Sequence, residues 1–194
     1  MKKKTLDILI IEDNPKHLED AKAEVQSRIK AGTHIAADYA VTYVQAKELM
    51  QQKKYQGIIT DVFFPYDDQQ RQDAKKGWHP EAATEIFGLI KDICERYRDP
   101  EIRDAVNRWR EGKTMHPTGI LITEQAIEQG TPVIFCTDTY HHGITTQPVF
   151  SYACDDDKRI GMVDCYKAGY YGTAWKKDWK ESLDVITRKI KLGY

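Results

Sequence analysis

Short runs of apolar residues alternate with amphipathic segments along most of this chain. Residues 6–11, 57–63 and 132–136 are mostly apolar. Such runs are typical of strands that are buried on both faces, as in a parallel sheet. After the first run, apolar residues recur instead at helical spacing, at Leu18, Ala21, Val25 and Ile29. The pattern therefore predicts strands that alternate with helices.

Local signals set the bounds of these elements. Asn14 can cap the first helix, Pro15 suits its first turn, and Gly32 ends it. We predict strands over residues 6–11, 34–43, 57–63, 132–136 and 170–175. We predict helices from Pro15, over 44–53, 81–98, 100–111 and 117–130, and from Asp178. This order predicts an α/β fold with a parallel sheet and right-handed crossovers.

Two stretches interrupt the alternation. Residues 66–116 form an insertion in which 66–76 reads as a polar loop and two amphipathic helices follow. Their apolar faces must pack on something. They can cover the neighbouring strand ends, form a dimer or partner surface, or simply pack on the body of the protein. Residues 138–167 read as irregular, with an optional extra strand over Val149–Ala153.

Composition narrows the class of protein. The 194 residues are 41% hydrophobic and 30% charged, and the net charge is −1. These values are typical of a single soluble domain over residues 1–194, and nothing in them favours nucleic acid or a membrane as a partner. The four cysteines lack the paired spacing of a metal site. We interpret them as reduced thiols and expect a cytoplasmic protein.

Acidic residues follow two of the predicted strands. Glu12 and Asp13 come directly after residues 6–11, and Asp61 comes directly after Gly57–Thr60, the apolar start of the second run. Parallel strands end at the same edge of a sheet, where ligands bind in open α/β folds. Two carboxylates about 4 Å apart repel by roughly 4 kcal/mol at an effective dielectric of about 20. The cluster therefore predicts a bound cation or a shared proton.

Two further strand ends add chemistry to the acidic cluster. Thr137 follows the fourth strand, and Lys176 or Lys177 follows the fifth. The three carboxylates can supply oxygens to Mg²⁺, and Asp61 can act as a nucleophile toward phosphorus. A threonine hydroxyl and a lysine ammonium can hold phosphoryl oxygens. Together these groups suit the transfer of a phosphoryl group to an aspartate.

With these residues in place, the chain resembles the receiver domains of two-component response regulators. The matching segments are Ile10–Asn14, Ile59–Pro65, Pro132–Thr137, and Gly169 with Lys176 after it. The resemblance implies a doubly wound, five-stranded, flavodoxin-like parallel sheet in the order 2-1-3-4-5. Residues 66–116 would be a helical insertion before Gly119, which stands where the family has a glycine.

The resemblance also implies roles for individual residues. It assigns the phosphoacceptor to Asp61, the Mg²⁺ ligands to Glu12, Asp13, Asp61 and the carbonyl of Phe63, and the phosphoryl contacts to Thr137 and Lys176. Four features depart from the family: the insertion, Lys177 in place of a proline after the lysine, Thr173 in place of the switch aromatic, and a segment after Thr137 that is too long for the usual fourth helix. The choice between Lys176 and Lys177 stays open at this point.

The leading hypothesis is an atypical, stand-alone receiver domain. It would accept a phosphoryl group from a histidine kinase or phosphotransfer protein and act through an output protein, with homodimerisation left open. It would catalyse at most its own phosphorylation and dephosphorylation, and we expect no DNA-binding region after the last helix. One alternative is a receiver-like interaction module that works without phosphorylation. A weaker one is a Mg²⁺-dependent phosphohydrolase, although the chain has no glycine-rich phosphate loop.

Overall fold

The structure is a computed structural model that describes most of the chain. The described residues are 5–72, 84, 86, 88, 100–110, 117–138, 146, 149, 159–163, 166–167 and 175–194. The strands are β1 (Leu6–Ile11), β2 (Ile35–Ala40), β3 (Gly57–Thr60), β4 (Val133–Cys136), β5 (Ile160–Val163), β6 (Tyr166–Lys167) and β7 (Trp175–Lys176). The helices are α1 (Pro15–Lys30), α2 (Tyr43–Gln52), α3 (Asp68–Gln72), α4 (Pro100–Arg110), α5 (Gly119–Glu128) and α6 (Trp179–Leu192). None of these helices combines the length and the hydrophobicity needed to cross a lipid bilayer.

Five strands form one parallel sheet. Their order is β2-β1-β3-β4-β5, and every pair of neighbours is parallel. In the register, Ile11 lies beside Thr60 of β3, which itself lies beside Phe135 of β4. This is the predicted α/β, flavodoxin-like sheet in the order 2-1-3-4-5, so the fold class is confirmed.

The sheet separates two apolar cores, because alternate residues of a strand point to opposite faces. Ile8, Ile10 and Ile59 are buried against α1 and α6 on one face. Leu9, Ile11 and Ile58 are buried against α2 and α5 on the other. This explains why the central strands are apolar at successive positions rather than at every second one.

Part of the insertion belongs to the second of these cores. Ile86 and Val106, from the two predicted helices of the insertion, are buried in the cluster that contains Leu9 and Ile58. Val106 lies on α4, whose neighbouring charged positions are exposed. At least these two apolar positions of the insertion therefore pack on the body of the protein.

The start of the insertion is tied to the N-terminus of α2. The first helical N–H groups of Tyr43 and Val44 donate to the carbonyls of Pro65 and Tyr66, both at 3.0 Å. These bonds satisfy donors that have no partner inside the helix. The predicted loop over 66–76 is wrong in part, because residues 68–72 form α3.

The position of the fifth strand also differs from the prediction. The sheet ends with Ile160–Val163, and Trp175 belongs instead to β7, which pairs with β6 as an antiparallel ribbon. The run Ile160-Gly-Met-Val163 is short and only half-buried in its middle, as an edge strand can be. Its hydrophobic signal is therefore weaker than that of the aromatic segment chosen from the sequence.

Smaller differences concern the ends of strands. β2 and β3 are shorter than predicted and end at Ala40 and Thr60. Thr42 caps α2 by accepting from the Gln45 N–H at 3.3 Å, so the helix begins where the strand was expected to continue. Of the optional strand over Val149–Ala153, only Val149 is described, and it is helical.

A glycine permits the closest backbone approach near the end of β3. A Cβ atom on Gly119 would lie 2.4 Å from the carbonyl oxygen of Asp61 and 3.2 Å from the Cα of Val62. The Gly119 N–H also donates to the carbonyl of Val62 at 3.0 Å. The first turn of α5 can therefore sit against this backbone only if residue 119 has no side chain.

We expect Gly119→Ala to lower the free energy of unfolding by about 1–3 kcal/mol, since backbone atoms must move to admit the methyl group. Urea denaturation measures this change. Gly88→Ala is the matched control, because Gly88 is helical and a Cβ there meets nothing within 4 Å. It should leave stability unchanged or raise it by up to about 1 kcal/mol. Equal effects of the two substitutions would contradict the close approach at Gly119.

Candidate functional site

Backbone hydrogen bonds bring the acidic residues of β1 and β3 to one edge of the sheet. The Glu12 N–H donates to the carbonyl of Ala40, and the Asp61 N–H donates to that of Ile11, each at 3.0 Å. Both residues therefore extend the ladder of their strand by one position. The register places Glu12 and Asp61 on neighbouring strands, at the carboxyl edge predicted from the sequence.

Three carboxylates converge at this edge. Glu12, Asp13 and Asp61 each offer an oxygen, and these oxygens lie within 4.8 Å of one another. Glu12 is fully buried, Asp61 is 7% exposed, and Asp13 is half-buried. Among the described residues, this is the one group of three or more acidic, histidine or cysteine side chains arranged to hold a metal ion.

A buried lysine joins the two inner carboxylates. Lys177 Nζ lies 2.5 Å from Glu12 Oε2 and 2.6 Å from Asp61 Oδ2. Its side chain is only 1% exposed. Backbone N–H groups donate hydrogen bonds to the other two oxygens. The N–H of Asn14 donates to Glu12 Oε1 at 3.0 Å, and the N–H of Val62 donates to Asp61 Oδ1 at 2.6 Å.

The lysine that reaches the acidic site is Lys177, not the predicted Lys176. Lys176 is exposed and belongs to β7 of the antiparallel ribbon. Lys177 falls between the ribbon and Asp178, which caps α6 by accepting from the Glu181 N–H at 2.9 Å. The structure thus decides which of the two neighbouring lysines, left open by the sequence, lies at the acidic site.

Burial and charge set the protonation of this cluster. Burial, together with the charge of Asp61, raises the pKa of Glu12 to about 8 against the opposing pull of Lys177. Burial likewise raises the pKa of Asp61 above its ordinary value. Burial alone would lower the pKa of Lys177, but the charges of Asp61 and Glu12 and their hydrogen bonds outweigh it and raise that pKa. The cluster therefore has a charged lysine between carboxyl groups that take up protons readily.

The other predicted site residues lie close by in the fold. Thr137 is fully buried and follows β4 directly. Phe63 is half-buried beside the core on the α2 side of the sheet, two residues after Asp61. The structure thus places Thr137 at the same edge as the acids, while the roles assigned to Phe63 and Thr137 stay predictions.

Sequence reasoning missed two titratable neighbours of the site. His17, in the first turn of α1, places Nδ1 3.8 Å from Glu12 Oε1. Burial, and then the charge of Lys177, lower the pKa of His17 below its ordinary value. Asp138 follows Thr137, and its charge contributes to the raised pKa of Asp61. The start of a capped helix just after an acidic pair was the signal that could have identified His17.

The donor set fits a hard divalent cation. Carboxylate oxygens are the ligands that Mg²⁺ takes from proteins, and one or two are enough when waters complete the shell. Asp13 is the most exposed of the three acids. His141, His142 and the acidic run at residues 155–157 lie outside the described part of the chain.

Comparisons of the chain with models of protein families, with curated proteins and with solved structures each find no match.

The raised pKa of Glu12 predicts a fall in stability with increasing pH. Between the ordinary pKa of 4.5 and about 8, the folded protein keeps a proton at Glu12 that the unfolded chain has lost. In metal-free buffer the free energy of unfolding should therefore fall from pH 5 to pH 8, by at most about 1.4 kcal/mol per pH unit for this group. Urea denaturation at a series of pH values measures the slope.

Glu12→Gln should flatten this slope, because glutamine has no proton to lose. Glu19→Gln, at an exposed position of α1, is the matched control and should leave the slope unchanged. A wild-type stability that stays level or rises over this range would contradict the raised pKa.

Lys177→Met should lower the free energy of unfolding far more than Lys176→Met does. Removing Lys177 leaves two buried carboxyl groups without their ammonium partner, which costs about 3 kcal/mol. Removing the exposed Lys176 should change stability by no more than about 0.5 kcal/mol. Denaturation of both variants at pH 7 tests this, and equal losses would contradict the placement of Lys177.

Proposed function

We propose that the protein is a receiver domain that accepts a phosphoryl group on Asp61 with the help of a divalent cation. The observation that carries this proposal is the contact of the Asp61 carboxylate with the Lys177 ammonium, 2.6 Å away, beside two further acids. An aspartate in this setting has a cation site on one side and a positive charge on the other. Both are needed to bring a phosphoryl donor, which is itself an anion, to a carboxylate.

The chain's own residues would perform the transfer as follows. One oxygen of Asp61 attacks the phosphorus of the donor, and the bond from phosphorus to the leaving group breaks. With a phosphohistidine donor, the imidazole nitrogen leaves with the bonding electron pair. Bound Mg²⁺ would neutralise charge on the phosphoryl oxygens and on the carboxylates.

Lys177 and Thr137 would hold the group once it is transferred. The ammonium of Lys177 needs only to shift its hydrogen bonds from the carboxylate oxygens to phosphoryl oxygens. The buried Thr137 follows the adjacent strand β4, from which a hydroxyl can reach a group on Asp61. Partner proteins would include a histidine kinase or phosphotransfer protein as donor and a separate output protein.

One observation favours a second candidate function, a receiver-like interaction module that needs no phosphorylation. Lys177 already pairs with both inner carboxylates, so their negative charge is partly balanced by the chain itself. Ile86 and Val106 of the insertion are also part of the core. The two candidates differ in whether Asp61 reacts.

Phosphorylation by a small donor tests the proposal. Incubation with Mg²⁺ and phosphoramidate or acetyl phosphate should add the mass of one phosphoryl group to the intact protein. Hydroxylamine should remove the added mass, because an acyl phosphate is cleaved by this nucleophile. Omission of the divalent cation should abolish the gain.

Two aspartate variants provide the comparison. Asp61→Asn should show no gain, whereas Asp20→Asn, at an exposed position of α1, should behave as the wild type. An equal gain in Asp61→Asn overturns the assignment of the acceptor. No gain in the wild type, with normal metal binding, favours the interaction module instead.

A further inference from the structure

We propose that the cavity between α1 and the start of α6 binds a small zwitterion of the free amino acid class, which carries one carboxylate and one ammonium group. The residues that line this cavity do not include any of the three acids of the candidate metal site. The inference therefore goes beyond the proposed function and does not depend on it.

Two elements form the walls of the cavity, whose volume is about 350 Å³. Pockets for small ligands start at about 300 Å³, so this one suits a small molecule. Asp20, Ala23 and Glu24 of α1 line one wall. Their spacing of three and four residues places them on one side of the helix. Residues 176–180, which lead into α6, line the other wall.

Arg28 joins the two walls. Its Nε donates to Glu24 Oε1 at 2.8 Å, and its Nη2 donates to the carbonyl of Lys180 at 2.9 Å. Its Nη1 donates to Asp184 of α6 at 2.5 Å. One planar guanidinium thus ties α1 to α6 beside the cavity, and its geometry sets their separation. A site whose walls are fixed in advance loses less conformational freedom when a ligand binds.

A buried donor without a partner points to a ligand in this cavity. Trp179 lines the cavity and is only 5% exposed, as part of the apolar core between the sheet and α1. No group in the described part of the chain accepts a hydrogen bond from its Nε1. The indole nitrogen can only donate, and a buried donor without an acceptor is unfavourable. The missing partner is therefore an acceptor, which the carboxylate of a ligand in the adjacent cavity would supply.

The charges of the lining select a ligand that carries both signs. Lys176 and Lys180 place ammonium groups on the α6 side, near the positive end of the helix dipole. They favour a carboxylate there. Asp20 and Glu24 place carboxylates on the α1 side and favour an ammonium group. A simple anion would meet the two acids of α1, and a simple cation would leave the indole donor without an acceptor.

The two remaining charged residues of the lining already have other contacts. Lys177 Nζ lies 2.5 Å from Glu12 Oε2 and 2.6 Å from Asp61 Oδ2. Asp178 caps α6 by accepting from the Glu181 N–H at 2.9 Å. We therefore assign these two residues to the wall of the cavity and not to the ligand contacts.

Nitrogen–proton NMR spectra of the indole N–H groups test the proposal in the full-length protein. The chain has four tryptophans, and Trp179→Phe identifies the Trp179 signal by its loss. The proteinogenic amino acids, added singly, are the probes. At least one should shift the Trp179 signal in a saturable way and leave the Trp109 signal unchanged. Acetate and methylammonium, at the same ionic strength, should bind at least tenfold more weakly.

Two variants test the lining, each with a control on α1. Lys180→Met should weaken binding about tenfold, because a charge-assisted hydrogen bond is lost, whereas the exposed Lys30→Met should not. Ala23→Leu should abolish binding by filling the cavity, whereas Gln26→Leu, at an exposed position outside the lining, should not. An unchanged dispersion of the NMR spectrum shows that each variant is folded.

Three outcomes overturn the inference. One is the absence of a saturable shift with any amino acid, which shows that the indole N–H of Trp179 bonds only to water. Another is equal binding of acetate and of the amino acid. The third is unchanged binding in the folded Ala23→Leu variant. None of these outcomes bears on phosphorylation of Asp61, which is measured separately by mass.

Discussion

The ion pair of Lys177 with Glu12 and Asp61 is the constraint on which the rest of the site depends. Placing any one of these charges in the interior costs several kcal/mol, and the cost is recovered only when geometry and hydrogen bonds are nearly complete. Here the ammonium meets one oxygen of each acid, and backbone N–H groups of Asn14 and Val62 meet the others. The turns after β1 and β3 position Glu12 and Asp61, and the hydrogen bonds and ion pairs of these two acids in turn stabilise the turns.

This requirement also explains the tight packing around the end of β3. The backbone at Asp61 and Val62 must accept α5 directly, which is why residue 119 has no side chain. On the other side, the residues after Asp61 lie against the N-terminus of α2, where Pro65 and Tyr66 accept its first N–H groups. The segment that carries Asp61 therefore contacts α5 on one side and the N-terminus of α2 on the other, and the rest of the insertion follows it in the chain.

The sequence predicted the sheet and the acids because both depend on strong local signals. The inner strands are apolar at successive positions, and an acid directly after such a strand can only lie at its carboxyl edge. The fifth strand was placed wrongly because Ile160–Val163 is short, contains Gly161 and lies at the sheet edge, where burial is incomplete. The choice between Lys176 and Lys177 likewise needed the structure, because Lys177 follows a short antiparallel ribbon rather than a strand of the main sheet. His17 was missed because its contact with Glu12 depends on the direction of α1, which periodicity does not give.

The ion pair also separates folding from metal binding. In a site of three acids alone, mutual repulsion would make the fold depend on a bound cation, as in small domains that unfold without their metal. Lys177 supplies one positive charge permanently, and the readily protonated Glu12 supplies a second means of reducing the negative charge. A cation held by these acids would therefore compete with a proton and with Lys177 rather than fill an uncompensated site.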